Sequence, residues 1–144
     1  MNYYDPRGGK GRINHGGTFN ANPLTMAGGV ATMEQLTPEA YARLDALGDR
    51  LRAGVAKALR SLKYPGQITG TGSLFWLHHT KKRLTDYRSQ RLADPTAAVE
   101  TFMALINEGF LISQRGLGAC SLAMTEADVD RFVEAVKRVL GARV

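Results

Sequence analysis

Between positions 15 and 23 the chain reads His-Gly-Gly-Thr-Phe-Asn-Ala-Asn-Pro, and this is the segment whose residue types are best suited to chemistry. Gly16 and Gly17 let backbone N–H groups turn toward one point, Thr18 adds a hydroxyl donor, and a helix N-terminus follows at once. That combination suits a phosphate or another anion. An ordinary turn leading into a helix has the same composition, so the residue types alone leave both readings open. A second cationic feature is the stretch 81–91, where Lys81, Lys82, Arg83, Arg88 and Arg91 face Asp86 alone. Tyr87 could stack on a base there, but base readers need more aromatic interleaving than one Tyr, and a solvated loop between a strand and a helix is the simpler account. Arg115 has the guanidinium fork that suits a carboxylate, with a surface salt bridge as the competing use. His78 and His79 sit at a strand end, where neighbours point to opposite faces, so the pair does not share one metal ion without distortion. Cys120, the single cysteine, excludes an intramolecular disulfide or a cysteine-only zinc cluster. It lies in an apolar stretch and reads as a small buried hydrophobe, with no feature that would activate a thiolate.

Composition bounds what these residues can serve. The chain has 144 residues, 44% hydrophobic and 22% charged, with a formal charge of +6. That is one ordinary globular core, moderately basic and short of a polycationic nucleic-acid binder. No apolar run approaches the roughly 20 residues that cross a bilayer, and MNYYDPRGGKGR has no apolar centre to act as a secretory signal. The expectation is a soluble, cytoplasmic protein with neither a nucleic-acid nor a membrane partner.

The elements that must position the candidates follow from local signals. Residues 1–22, rich in Gly and Asn, show no apolar period and read as a loop. Residues 23–36 read as a helix with Asn22 as N-cap and Pro23 at the first position. Gly28 and Gly29 inside it each cost about 1 kcal/mol relative to Ala, which points to close approach by another segment, in this chain or outside it. A second helix starts at Thr37-Pro38 and runs to about Lys63 on a stripe of Leu44, Leu47, Leu51, Val55 and Leu59. Two strands are expected at 67–71 and 73–79 and a helix from Asp94-Pro95 to Gly109. Short strands are expected at 110–113 and 119–123. Thr125 and Asp128 then make a capping box for a last helix. The pattern is α+β, with an antiparallel or mixed sheet covered by helices.

With the elements laid out, His15-Gly16-Gly17-Thr18-Phe19-Asn20-Ala21-Asn22-Pro23-Leu24-Thr25-Met26-Ala27-Gly28-Gly29 resembles the GTF-x-x-NP-x-x-MAAG stretch of class III pyridoxal-phosphate (PLP) aminotransferases, particularly glutamate-1-semialdehyde 2,1-aminomutase-like members. Tyr4-Asp5-Pro6-Arg7 is similar to their FDPR-type lead-in. The order downstream also fits: Gly70-Thr71-Gly72-Ser73-Leu74-Phe75, Asp86-Tyr87, Glu108-Gly109-Phe110, Arg115-Gly116, and Thr125-Glu126-Ala127-Asp128.

The resemblance covers essentially the whole chain and implies the C-terminal part of a fold type I enzyme. Residues 1–22 would be a loop derived from the large domain, 23–36 a connecting helix and 37–144 the small C-terminal domain. It implies a homodimer in which Gly17 permits the approach and Thr18 donates to the phosphate of PLP in the partner subunit's site. It also implies a complementary large domain and a small amino-acid-like substrate. The family's cofactor-binding lysine, and the aspartate that pairs with the pyridinium nitrogen, have no counterpart among these residues. Lys10, Lys57, Lys63, Lys81, Lys82 and Lys137 match none of that motif. The chain by itself is therefore expected to be inactive in amino transfer. The alternative is a non-catalytic α+β interaction module derived from an aminotransferase.

Overall fold

The computed structural model describes residues 17–143, and the lead-in motif, His15 and most of the expected 1–22 loop lie outside the described residues. The chain divides into two compact units between Thr37 and Pro38.

In the first unit a turn from Gly17 leads into α1 (Pro23–Gln35). Asn22 caps it, its side-chain oxygen accepting from the Leu24 N–H at 3.0 Å, and Pro23 occupies the first turn, where a missing N–H costs nothing. No residue of α1 is buried, and Leu24, Met26, Val30 and Met33 are exposed. A Cβ on Gly28 or Gly29 would meet nothing within 4 Å. The close approach expected at these glycines is therefore not made by any described residue of this chain.

The second unit holds α2 (Pro38–Ser61), β1 (Gln67–Thr69), β2 (Leu74–His78), α3 (Tyr87–Gln90), α4 (Pro95–Asn107), β3 (Leu117–Ala119) and α5 (Glu126–Gly141). The sheet is antiparallel in the order β1-β2-β3, with Ile68 opposite Leu77 and Phe75 opposite Gly118. The α2 stripe of Leu47, Leu51, Val55 and Leu59 packs with Val129, Phe132, Val136 and Leu140 of α5. Phe75 and Leu77 of β2 and Leu105 of α4 complete the core, the Phe75 and Phe132 rings standing 5.3 Å apart. Each such side chain contributes about 1.5–3 kcal/mol through burial, which is why the helical period was decisive in the sequence.

The cap of α5 is reciprocal. The Thr125 hydroxyl accepts from the Asp128 N–H, and the Asp128 carboxylate accepts from the Thr125 N–H at 2.7 Å. These bonds to Thr125, with Arg131 adding to them, hold the Asp128 carboxyl down at about 2. Thr125→Ala removes the side-chain half of the box, so urea unfolding should show a loss of about 1 kcal/mol, with Thr125→Ser close to wild type.

Three expectations are corrected. Residues 110–113 are not a strand: Ile112 is buried in the core and Phe110 packs against it, while the Phe110 N–H bonds to the Leu105 carbonyl at the end of α4. The third strand lies at Leu117–Ala119, upstream of the expected 119–123, because Gly116 turns the chain with φ +88° and Gly118 seats it under the Phe75 ring. The 81–91 stretch is not all loop, since Asp86 and Ser89 cap the single turn of α3 with another reciprocal box.

Candidate functional site

Gly17 and Thr18 lie together in the turn before α1. Asn20 and Asn22 donate their backbone N–H groups to the Gly17 and Phe19 carbonyls at 3.1 and 3.2 Å, and Ala21 takes φ +58°. The turn thus satisfies the Gly17 and Phe19 carbonyls internally. The N–H and hydroxyl of Thr18, on an exposed residue, have no partner among the described residues. A Cβ on Gly17 would meet Asn20 Oδ1 at 3.0 Å, tighter than an ordinary contact, so glycine suits the turn. Free donors at the entrance to a helix fit one side of a phosphate group, and these residues are therefore compatible with a PLP phosphate.

Arg115 belongs to the second unit, in the turn between Ile112 and β3. The Ser113 N–H donates to the Leu117 carbonyl at 2.7 Å, the Gly116 N–H to the Ser113 carbonyl at 2.8 Å, and the Leu77 N–H to the Gly116 carbonyl at 3.0 Å. A Cβ on Gly116 would overlap the Leu77 carbonyl oxygen. The Trp76 indole N–H holds the Arg115 carbonyl at 2.7 Å. The backbone of Arg115 is therefore fixed against β2 while its side chain stays exposed, and no ion pair among the described residues includes it. It lines a cleft of about 350 Å³ between the end of β2 and the start of α4.

The same cleft is lined by His78 and His79, both buried. The His78 ring pairs through Nε2 with Thr69 Oγ1 at 2.8 Å and leans on the Trp76 ring at 5.0 Å. His79 Nδ1 meets the Tyr64 hydroxyl at 2.9 Å. Burial pulls the His79 imidazole down to about 4, helped by the nearby Arg143 guanidinium and opposed by Asp94, and burial likewise lowers His78. Both rings are neutral at pH 7. The sequence reading of the pair did not anticipate that both rings are buried, each with its own partner, His78 with Thr69 and Trp76 and His79 with Tyr64. Among the described residues no group of three or more His, Cys, Asp or Glu side chains is placed to hold a metal ion. Cys120 is buried, and desolvation pushes its thiol up, away from the reactive thiolate. Among the described residues no helix is long and apolar enough to cross a membrane.

The antiparallel α+β unit is consistent with the small C-terminal domain of a fold type I transferase, and the comparisons with known proteins carry that class. No protein-family model matches the chain. It is 36% identical over 142 residues to a beta-phenylalanine transaminase of Variovorax paradoxus, covering 98% of this chain and 32% of that relative. It is 30% identical over 130 residues to a glutamate-1-semialdehyde 2,1-aminomutase 2 of Anoxybacillus flavithermus, covering 89% of this chain and 30% of the relative. Among solved structures, an omega-transaminase from Sphaerobacter thermophilus superposes with a TM-score of 0.80 at 42% identity, over 99% of this chain and 33% of that one. The chain is homologous to one part of the class III PLP-dependent aminotransferases and glutamate-1-semialdehyde 2,1-aminomutases. It spans about a third of the length of the curated relatives it matches.

Proposed function

We propose that this chain supplies the small-domain portion of a cytoplasmic, homodimeric PLP-dependent enzyme that transfers an amino group on a small amino-acid-like substrate, and that it is inactive without a complementary large domain. Residues 1–22 serve as the large-domain-derived loop, 23–36 as the connecting helix and 37–144 as the small domain. The bound cofactor supplies the electron sink for moving the amino group. Thr18 holds the cofactor phosphate of the partner subunit's site through its hydroxyl and backbone N–H, with Gly17 giving the phosphate room. Arg115 takes the substrate carboxylate in its guanidinium fork. The observation that carries this reading is the Thr18 turn, with unpaired donors leading into a helix, in a chain whose full length matches transaminases.

The test is to co-express the chain with a complementary large domain that brings the lysine and aspartate. Activity with an amino donor should appear only in the pair. Thr18→Ala removes one hydrogen bond to a charged group, so PLP should dissociate about ten times more readily in an absorbance titration. An unchanged PLP affinity would remove Thr18 from the site. The exposed apolar side chains of α1 favour the second reading, a non-catalytic interaction module. That reading expects concentration-dependent self-association with no PLP binding in the pair.

A further inference from the structure

Positive charge is not spread evenly along this chain. Lys57, Arg60 and Lys63 at the end of α2 join the five cations of 81–91, and the only carboxylate between 57 and 91 is Asp86. Eight cations against one carboxylate give this segment +7, whereas the whole chain carries +6, so all the other residues together come to −1. All eight cations are exposed. Among the described residues, Arg50, Arg52, Arg131, Arg138 and Arg143 each hold a carboxylate in an ion pair, and none of the eight does. Asp86 is itself engaged in the cap of α3, where it accepts from the Ser89 N–H at 2.7 Å.

The fold brings the two parts of this charge to one surface. Gln67 of β1 lines a groove with Arg60 and Lys63, and its side-chain amide donates to the Thr80 and Lys82 carbonyls at 3.0 and 2.6 Å. The Lys82 N–H in turn donates to the Thr80 hydroxyl at 3.1 Å. The backbone that carries Lys81, Lys82 and Arg83 is therefore tied to the end of α2, and α3 follows with Arg88 and Arg91. Neighbouring like charges repel, so a folded surface that gathers them without carboxylates is matched to counter-charge supplied from outside. Tyr87 and Leu92, both exposed, stand beside Arg88 and Arg91. Arginine and tyrosine around an exposed apolar side chain make the composition of a protein interface. A nucleic-acid strand would instead call for a row of aromatic faces to take its bases.

We propose that this surface docks an acidic face of a partner protein, whose carboxylates meet the cations of 57–91 and whose apolar side chains cover Tyr87 and Leu92. The proposal is independent of the roles given to Thr18 and Arg115. Charge complementarity of this kind steers the encounter and excludes partners of the wrong sign, while the apolar contacts lengthen the stay.

The experiment titrates the 144-residue chain with two peptides of about 12 residues and equal negative charge, one of glutamate and glycine, the other with leucine and phenylalanine in place of the glycines. Backbone amide NMR shifts should fall within residues 57–92. The peptide with apolar residues should bind about three- to tenfold tighter, and the double variant Tyr87→Ser, Leu92→Ser should remove that advantage. Raising the salt from about 20 to about 300 mM should weaken both peptides about tenfold. Arg88→Glu or Lys82→Glu should each weaken both peptides by about tenfold. Lys137→Glu, the same change of charge at an exposed site on α5, should leave binding near wild type. Circular dichroism melts of the variants should match the wild-type chain, since every substituted side chain is exposed. No binding at low salt, or equal losses from Arg88→Glu and Lys137→Glu, overturns the surface. Equal affinity for the two peptides, or tighter binding of an oligothymidylate of the same charge, overturns the protein partner.

Discussion

Gly48→Ala should destabilise the 38–143 unit by about 3 kcal/mol, although helix propensity alone points the other way. Gly48 stands inside α2, where Ala is intrinsically better by about 1 kcal/mol. Gly48 is buried, however, and a Cβ there would overlap the Gly72 carbonyl oxygen. That oxygen also accepts from Arg52 Nη1 at 2.7 Å, and the same Arg52 nitrogen reaches the Leu74 carbonyl at 2.7 Å. Gly72 has little freedom to retreat, because it turns the chain with φ +54° two residues before β2 begins. Overpacking against fixed backbone costs more than overpacking against a side chain that can change rotamer. The clash therefore outweighs the propensity gain. For a unit of this size the loss corresponds to a fall in Tm of roughly 10–25 °C. Thermal unfolding followed by circular dichroism gives the answer, and an unchanged or raised Tm would show that α2 and the turn before β2 are not in contact.

Mild acid should weaken the same unit through His79. The folded imidazole titrates at about 4, well below the ordinary 6.5 that it regains on unfolding. Between those values the unfolded chain takes up a proton and the folded chain does not. Stability is therefore complete above pH 6.5 and is lost as the pH falls toward 4, by about 3 kcal/mol for this group. His78 is lowered in the same direction and adds to the loss. The carboxylates enter later: Asp128 is held at about 2 and Asp86 and Asp130 are also depressed, so their contributions fade only below the usual carboxylate range. Urea midpoints at pH 7.5, 6.0 and 4.5 should therefore decline in order, and a His79→Phe variant should show a flatter series. Identical midpoints at pH 7.5 and 4.5 would mean that His79 is solvated in the folded protein.

What the sequence made legible was local. Asn22 before Pro23, Asp94 before Pro95 and Thr125 three residues before Asp128 each announced a helix start, and the structure begins α1, α4 and α5 there. The stripe in α2 was equally readable, since burial follows a 3.6-residue period. The place of β3 was not, because it depends on Gly116 and Gly118 fitting against Leu77 and Phe75, some 40 residues earlier. The cap of α3 was obscured by its cationic surroundings and by Ser89 in the place where Glu or Gln is usual. Of the candidate site, the Thr18 turn could be read from its glycines and hydroxyl. The histidine cleft could not, since His79 is buried and paired with Tyr64, 15 residues away, a contact that no local pattern announces.

The pairing of α2 with α5 also bears on how the unit can be made. Arg50 of α2 holds Asp130 of α5 through two bonds at 2.7 and 2.8 Å across a sequence separation of 80 residues, and the apolar stripes of the two helices close over the same core. The β1–β2 hairpin joins neighbours and can form as soon as it leaves the ribosome, but α2 must wait for a partner synthesised much later. At the usual 5–20 residues per second that wait is about 4–16 seconds. Through this interval Leu47, Leu51, Val55 and Leu59 have no partner helix to cover them, so the nascent chain is most open to chaperone capture or aggregation just before α5 emerges.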